Sequence, residues 1–267
     1  MLKFFCLGSG SSGNCYFLFT DDFGILIDAG IGIRNIKKYF RAYGLSLDQI
    51  NAVLVTHDHA DHIKAIGNLA KDYDLPVYAT AEVHEGMNRN YCMTTKLDPV
   101  HTRYIVKEQS FRLGQFEITP FEVPHDSTDN VGFSITCGQV NFCLITDVGH
   151  ISENIPPYIR KANYLVLEAN HDEDMLMMGP YPAYLKGRIK SGVGHLSNKA
   201  AAEVLVQNAT EDLRHLWLCH VSEENNHPEL VRKTIDTTLR QYGIIVGKDF
   251  QMDVLKRRIP SEIYFLE

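Results

Sequence analysis

No stretch of this chain approaches the ~20 consecutive apolar residues of a membrane-spanning helix, so no membrane partner is predicted. The N-terminus, Met1-Leu2-Lys3-Phe4-Phe5-Cys6-Leu7, carries one cation and a short apolar run before Gly8-Ser9-Gly10, too little for a secretory leader. None of the six cysteines (Cys6, Cys15, Cys92, Cys137, Cys143 and Cys219) forms a CxxC pair. That pattern speaks for buried thiols in a reducing compartment rather than for a disulfide framework. These absences together predict a cytoplasmic protein. A positive charge balance is missing as well. The net charge of −7 gives no whole-molecule attraction for nucleic acid, so any phosphate recognition has to be local. No linker, repeat or low-complexity segment interrupts the 267 residues. The length fits a single domain of two related halves, about 1–138 and 139–267.

The apolar fraction, 45%, is ample for a core. Short β-type runs separated by Gly, Ser and Asp turns predict strands at Leu2–Leu7, Cys15–Thr20, Gly24–Ile27, Ala52–Thr56 and Pro76–Ala79. A second series covers Phe111–Leu113, Phe116–Val123, Gly132–Cys137, Val140–Thr146, Tyr164–Leu167 and His215–Cys219. Helical periodicity is read at Ile33–Tyr43, His62–Lys71, Ala81–Asn88, Pro156–Lys161, Pro182–Ile189, Asn198–Asn208 and Pro228–Tyr242. Strands preceding helices in both halves predict an α/β (α+β) fold, two sheets with helices outside.

Chemistry concentrates in His57-Asp58-His59-Ala60-Asp61-His62, directly after the apolar run Ala52–Thr56. Three imidazoles and a carboxylate within six residues are a metal-ligand density that few other roles demand. Further polar residues stand immediately after apolar runs: Asp28, His125, Asp147 and His220. Residues at strand ends, where loops converge, are a common way to assemble a cleft. Histidine and carboxylate donors suit zinc, manganese or iron, with no cysteine required.

The ordered series Asp28, HxHxDH, His125, Asp147 and His220 resembles the metallo-β-lactamase superfamily from about Leu2 to Pro228. The resemblance implies a four-layer αββα sandwich with two divalent metal ions. It places His57, His59 and His125 on one metal, Asp61, His62 and His220 on the other, and Asp147 between them. Asp28 would fix ligand geometry. Two metals ~3.5–4 Å apart can share a bridging hydroxide and act in hydrolysis at neutral pH.

Three further segments resemble the phosphodiesterase branch: the Ser9–Asn14 loop with Ser11 and Asn14, Glu168 in Leu165–Asp172, and Gly194-His195-Leu196-Ser197-Asn198. Glu168 and His195 resemble a glutamate–histidine pair of ribonuclease Z, in which the histidine can protonate a leaving oxygen. The bland alternative for His195 is a neighbour of a helix cap. Longer matches, including Gly179–Pro182 with Leu185–Ile189 and His220–Asn226, are similar to the YycJ-like (WalJ) group, described as 5′→3′ DNA exonucleases. That resemblance implies nucleic acid as substrate, DNA rather than RNA, with Asp61, His195 and Glu168 in catalysis. Ser11, Asn14, Lys186, Arg188 and Ser197 are candidate substrate contacts. For Lys186 and Arg188 a solvated helix face is the competing reading. His171 and Asn225 are candidates for supporting the ligands. A small cyclic-phosphodiester or thioester hydrolase on the same metal pair is the alternative activity. The HxHxDH block keeps His59, where the redox branch carries glutamate, and no metal ligand is missing as it would be in a non-enzymatic scaffold.

Overall fold

The computed structural model describes all residues, Met1–Glu267. The chain forms two compact units. The first comprises Met1–Pro120, Ser127–Val131 and Lys256–Glu267, and the second Phe121–Asp126 and Gly132–Leu255. The division therefore falls at 120–132 rather than near 138, and the last twelve residues return to the first unit.

Two seven-stranded mixed sheets carry the molecule. One has the order β14 (Tyr264–Leu266), β1 (Leu2–Gly8), β2 (Cys15–Phe19), β3 (Gly24–Ile27), β4 (Ala52–Leu54), β5 (Val77–Ala79), β6 (Thr102–Tyr104). The other has the order β13 (Gln251–Val254), β12 (His215–Cys219), β11 (Tyr164–Glu168), β10 (Val140–Ile145), β9 (Val131–Cys137), β8 (Phe116–Glu122), β7 (Phe111–Leu113). From β3 to β6 and from β10 to β13 the strands are parallel. The inner parallel strands read as apolar runs because both their faces are buried: β3, β4, β11 and nearly all of β12 are buried throughout, whereas the outer strands β6 and β13 are partly exposed.

Helices cover each sheet with their apolar stripes. In the first unit, Ile36 and Phe40 of α1 (Ile33–Ala42) pack with Phe5, Phe17, Leu26 and Val53. In the second, Ala201, Val204 and Leu205 of α8 (Asn198–Asn208) and Val231, Ile235 and Leu239 of α9 (Pro228–Gln241) pack with Leu165, Leu167, Leu216 and Leu218. The α8 helix starts where its cap dictates, since Ser197 Oγ accepts the Ala200 N–H.

The helix expected over His62–Lys71 is two helices, α2 (Ala60–Ile63) and α3 (Ile66–Tyr73). Tertiary bonds take the groups that a continuous helix would use. The Asp61 and His62 carbonyls accept Asn14 N and Ala29 N, each at 2.7 Å, and Ala65 N donates to Ala29 O at 2.8 Å. Four short elements carried no usable pattern: β6, β13, β14 and the helix α6 (Glu173–Met178). The three strands exist by pairing; β14, for example, lies antiparallel to β1, more than 250 residues away in sequence. All six cysteines are unpaired thiols. No helix is long and apolar enough to cross a membrane.

Candidate metal centre

In the first unit, β3 and β4 run parallel with Ile27 beside Leu54, so Asp28 and the Thr56-His57 pair leave the sheet at the same end. Asp28 adopts φ 57°, a left-handed turn that aims its side chain back along the sheet end. It is wholly buried and fully partnered. Oδ1 accepts Thr56 N at 2.9 Å, and Oδ2 accepts Thr56 Oγ1 at 2.8 Å and the His62 Nδ1–H at 2.7 Å. The single Thr56 hydroxyl proton goes to Asp28, so Thr56 Oγ1 accepts from His57 Nδ1, 3.0 Å away. Both histidines therefore carry their proton on Nδ1, which makes Nε2 the nitrogen that can bind a metal.

The rings of His57 and His59 lie 4.7 Å apart, and those of His57 and His62 4.0 Å apart. His62 Nε2 is 3.7 Å from Asp61 Oδ2. Asn14, expected at the substrate, is instead buried against these ligands. Its amide nitrogen is 2.9 Å from His62 Nε2 and 3.4 Å from Asp61 Oδ2, and its Oδ1 accepts Gly10 N. Gly30 is the residue this packing requires, since a Cβ there would lie 1.6 Å from the Asp61 carbonyl oxygen.

In the second unit, the parallel strands β10, β11 and β12 end side by side and deliver Asp147, Glu168 and His220. Asp147 (φ 53°) and His220 (φ 51°) repeat the left-handed turn of Asp28. His125 Nδ1 donates to Gly194 O at 2.9 Å, so Nε2 is again the ligating nitrogen. Asp147 Oδ1 stands 3.4 Å from His220 Nε2 and 3.8 Å from His125 Nε2. Two atoms bound at ~2.0–2.1 Å to one tetrahedral metal are about 3.3 Å apart, so these spacings suit ligands of a common ion. The donor chemistry of both units thus fits divalent metal: imidazoles whose Nδ1 contacts leave Nε2 as the ligating nitrogen at His57, His62 and His125, carboxylates beside them, and no thiol.

Glu168 and His195 meet as expected, with Oε1 2.8 Å from Nδ1. Glu168 is buried, and its Oε2 accepts Val148 N at 2.7 Å and Leu196 N at 3.4 Å. The carboxylate is thereby held as a brace for His195. Burial alone would depress the His195 pKa, but the charge and hydrogen bond of Glu168, with Asp147 nearby, reverse this and raise it to about 9. Its ring stacks on His220 at 5.1 Å.

Other expected contacts fall elsewhere. Arg188 grips Asp126 through both Nε and Nη2, so its fork braces the residue after His125. Lys186 Nζ donates to Met177 O at 2.7 Å. Ser197 caps α8 and donates to Glu173 at 3.1 Å, whereas Ser11 is exposed and accepts from Arg257 Nη2 at 3.2 Å. Asn225 makes no side-chain hydrogen bond. Asn170 donates to His220 O at 2.8 Å, with Asn226 holding the Asn170 carbonyl at 3.0 Å. His171 touches no ligand by hydrogen bond. It lines a cavity of about 500 Å³ with His195 and Ser197, and burial lowers its pKa to about 4. Only their position at strand ends marked Thr56 and Asn170 in the sequence.

Residues 24–220 match the β-lactamase superfamily domain, and the chain belongs to that superfamily, a class of metal-dependent hydrolases. Its relatives narrow the class. The chain is 34% identical over 266 residues to the exodeoxyribonuclease YycJ of Bacillus anthracis, covering 99% of each. It is 33% identical over 251 residues to the exodeoxyribonuclease WalJ of Streptococcus pneumoniae, covering 94% of this chain and 93% of the relative. Human tRNase Z, short form, shares the fold with a TM-score of 0.65 at 16% identity, covering 98% of this chain and 100% of that one.

Proposed function

We propose that the protein is a 5′→3′ DNA exonuclease that hydrolyses phosphodiester bonds with two divalent ions of zinc, manganese or iron. His57, His59 and His125 would hold one ion and Asp61, His62 and His220 the other, with Asp147 as a ligand to both. The bound ions supply Lewis acidity at the phosphoryl group and a hydroxide nucleophile at neutral pH. Asp61, whose carboxylate faces His62, would also orient the attacking water.

The observation that carries the reading is the His195–Glu168 pair beside Asp147 and His220. In hydrolysis of a nucleic-acid diester a new oxygen–phosphorus bond forms, the phosphorus–O3′ bond breaks, and O3′ leaves needing a proton. His195, kept as imidazolium by Glu168, supplies it. The full-length similarity to two exodeoxyribonucleases supports DNA as the polymer. Digestion of end-labelled duplex DNA by manganese- or zinc-loaded protein tests the reading, with His59→Ala as control. Stepwise loss from the 5′ end, absent in the variant, is expected. Intact DNA alongside turnover of a small phosphodiester or thioester would overturn it.

A further inference from the structure

We infer that the exposed face of α1, together with Lys256–Arg258, is the surface that holds the DNA strand outside the metal centre. This rests on the exonuclease reading. Arg34, Lys37, Lys38 and Arg41 recur at helical spacing i, i+3, i+4 and i+7, all exposed, and α1 contains no acidic residue. The opposite face, Ile36 and Phe40, is buried in the core. Like charges at this spacing destabilise a helix, so the fold itself has no use for the stripe. None of these four cations forms a salt bridge, nor does the exposed Lys256. Lys37 and Lys38 lie over the rings of Tyr73 and Tyr39 at 5.5 and 5.8 Å.

Three contacts join this cationic surface to the metal ligands. Tyr39 Oη donates to Arg258 O at 3.0 Å, which ties α1 to the Lys-Arg-Arg segment. Lys256 O accepts Ser9 N at 3.1 Å, and Arg257 Nη2 donates to Ser11 Oγ. The same loop packs against the start of α1, where a Cβ on Gly13 would lie 2.7 Å from Ile31. It ends at Asn14, whose amide faces His62 and Asp61. A line of cations thus reaches, through one glycine–serine loop, the residues that hold the metal.

A polyanionic strand is the occupant this arrangement fits. The protein carries a net charge of −7, so a cation-only face stands out against the rest of its surface. An anionic membrane surface is the competing occupant. It would draw on large apolar residues beside the cations to insert, and on α1 the large side chains Ile36 and Phe40 are buried in the core. Of the candidate contacts Lys186 and Arg188, Arg188 is paired with Asp126 and Lys186 bonds the Met177 carbonyl.

The test is a salt series of binding to a duplex capped with phosphorothioate linkages, read by fluorescence anisotropy. Wild type is compared with Arg34→Gln/Lys37→Gln/Lys38→Gln/Arg41→Gln. Each phosphate contact contributes about 0.7–0.9 to the slope of log affinity against log salt, so the variant's slope is expected to be shallower by about three. Its affinity near 100 mM salt should fall at least about tenfold, while hydrolysis of bis(p-nitrophenyl) phosphate stays within about twofold of wild type. The charge-keeping swap Arg34→Lys/Lys37→Arg/Lys38→Arg/Arg41→Lys should retain the wild-type slope, which separates charge from helix damage. An unchanged slope and affinity in the glutamine variant, with wild type still digesting DNA, would overturn the surface and leave the exonuclease reading standing. DNA binding through the stripe without digestion would overturn that reading and support the surface. Capture of wild type by phosphatidylglycerol vesicles, with no binding to DNA, would overturn both.

Discussion

A buried carboxylate without partners costs several kcal/mol, yet Asp28 sits at 0% exposure. It is tolerated because Thr56 and His62 supply three hydrogen bonds. Those bonds set the proton positions of His62 directly and of His57 through Thr56. Asp28→Ala is therefore expected to weaken metal affinity about 10–100-fold, measured by chelator competition, with the fold retained. Glu168 acts on His195 in a comparable way, by charge. In the proposed reaction His195 is the acid, so activity is expected to fall as pH rises through its pKa, which the carboxylate holds near 9. Glu168→Gln removes that charge. The alkaline limb of the rate profile should move to lower pH, and kcat at neutral pH should drop by about 10²–10⁴. A limb at the wild-type position would separate Glu168 from proton donation. Asp28, His57, His125, Asp147 and His220 stood out in the sequence because each is a polar donor placed just after an apolar run, and His59, Asp61 and His62 because they crowd behind His57. Thr56, Asn170 and the Arg188–Asp126 pair were not, because their roles exist only through partners distant in sequence. Asn14 was legible as important and misplaced: the glycine–serine loop that looks like a substrate loop turns this one side chain inward.

Most elements announce themselves by periodicity, and the exceptions share a cause. Where α2 and α3 part, local helical pattern loses to tertiary hydrogen bonds from Asn14 and Ala29. Strands β6 and β14, three residues each, exist only by pairing. The left-handed turns at Asp28, Asp147 and His220 are equally silent in sequence, since none is glycine. Such conformations cost about 1–3 kcal/mol each and persist where the surroundings impose them. Gly30 is the position where an element contact and the site meet. Gly30→Ala would force a Cβ into the Asp61 carbonyl. A loss of about 1–3 kcal/mol is expected by urea unfolding, accompanied by weaker metal binding. Unchanged stability would mean that α2 shifts freely, contrary to the packing described.

At the scale of the molecule, each unit presents its functional residues at the ends of parallel strands, where side chains from adjacent strands emerge together. The class of fold was readable from the alternation of strands and helices and from the ordered motifs. The division of the chain was not, because the final strand returns to β1 and no local signal marks that return. The cations on α1 drew no reading in the sequence, because their link to the glycine–serine loop runs through Lys256–Arg258, more than 200 residues away. The central claim is that these donors hold two metal ions, and it is tested by counting them. Protein loaded with zinc or manganese and desalted should carry two equivalents per chain by mass spectrometry of the metal, with His59→Ala and Asp147→Ala each falling clearly below two. Two equivalents retained in both variants, or none in the wild type, would contradict the account.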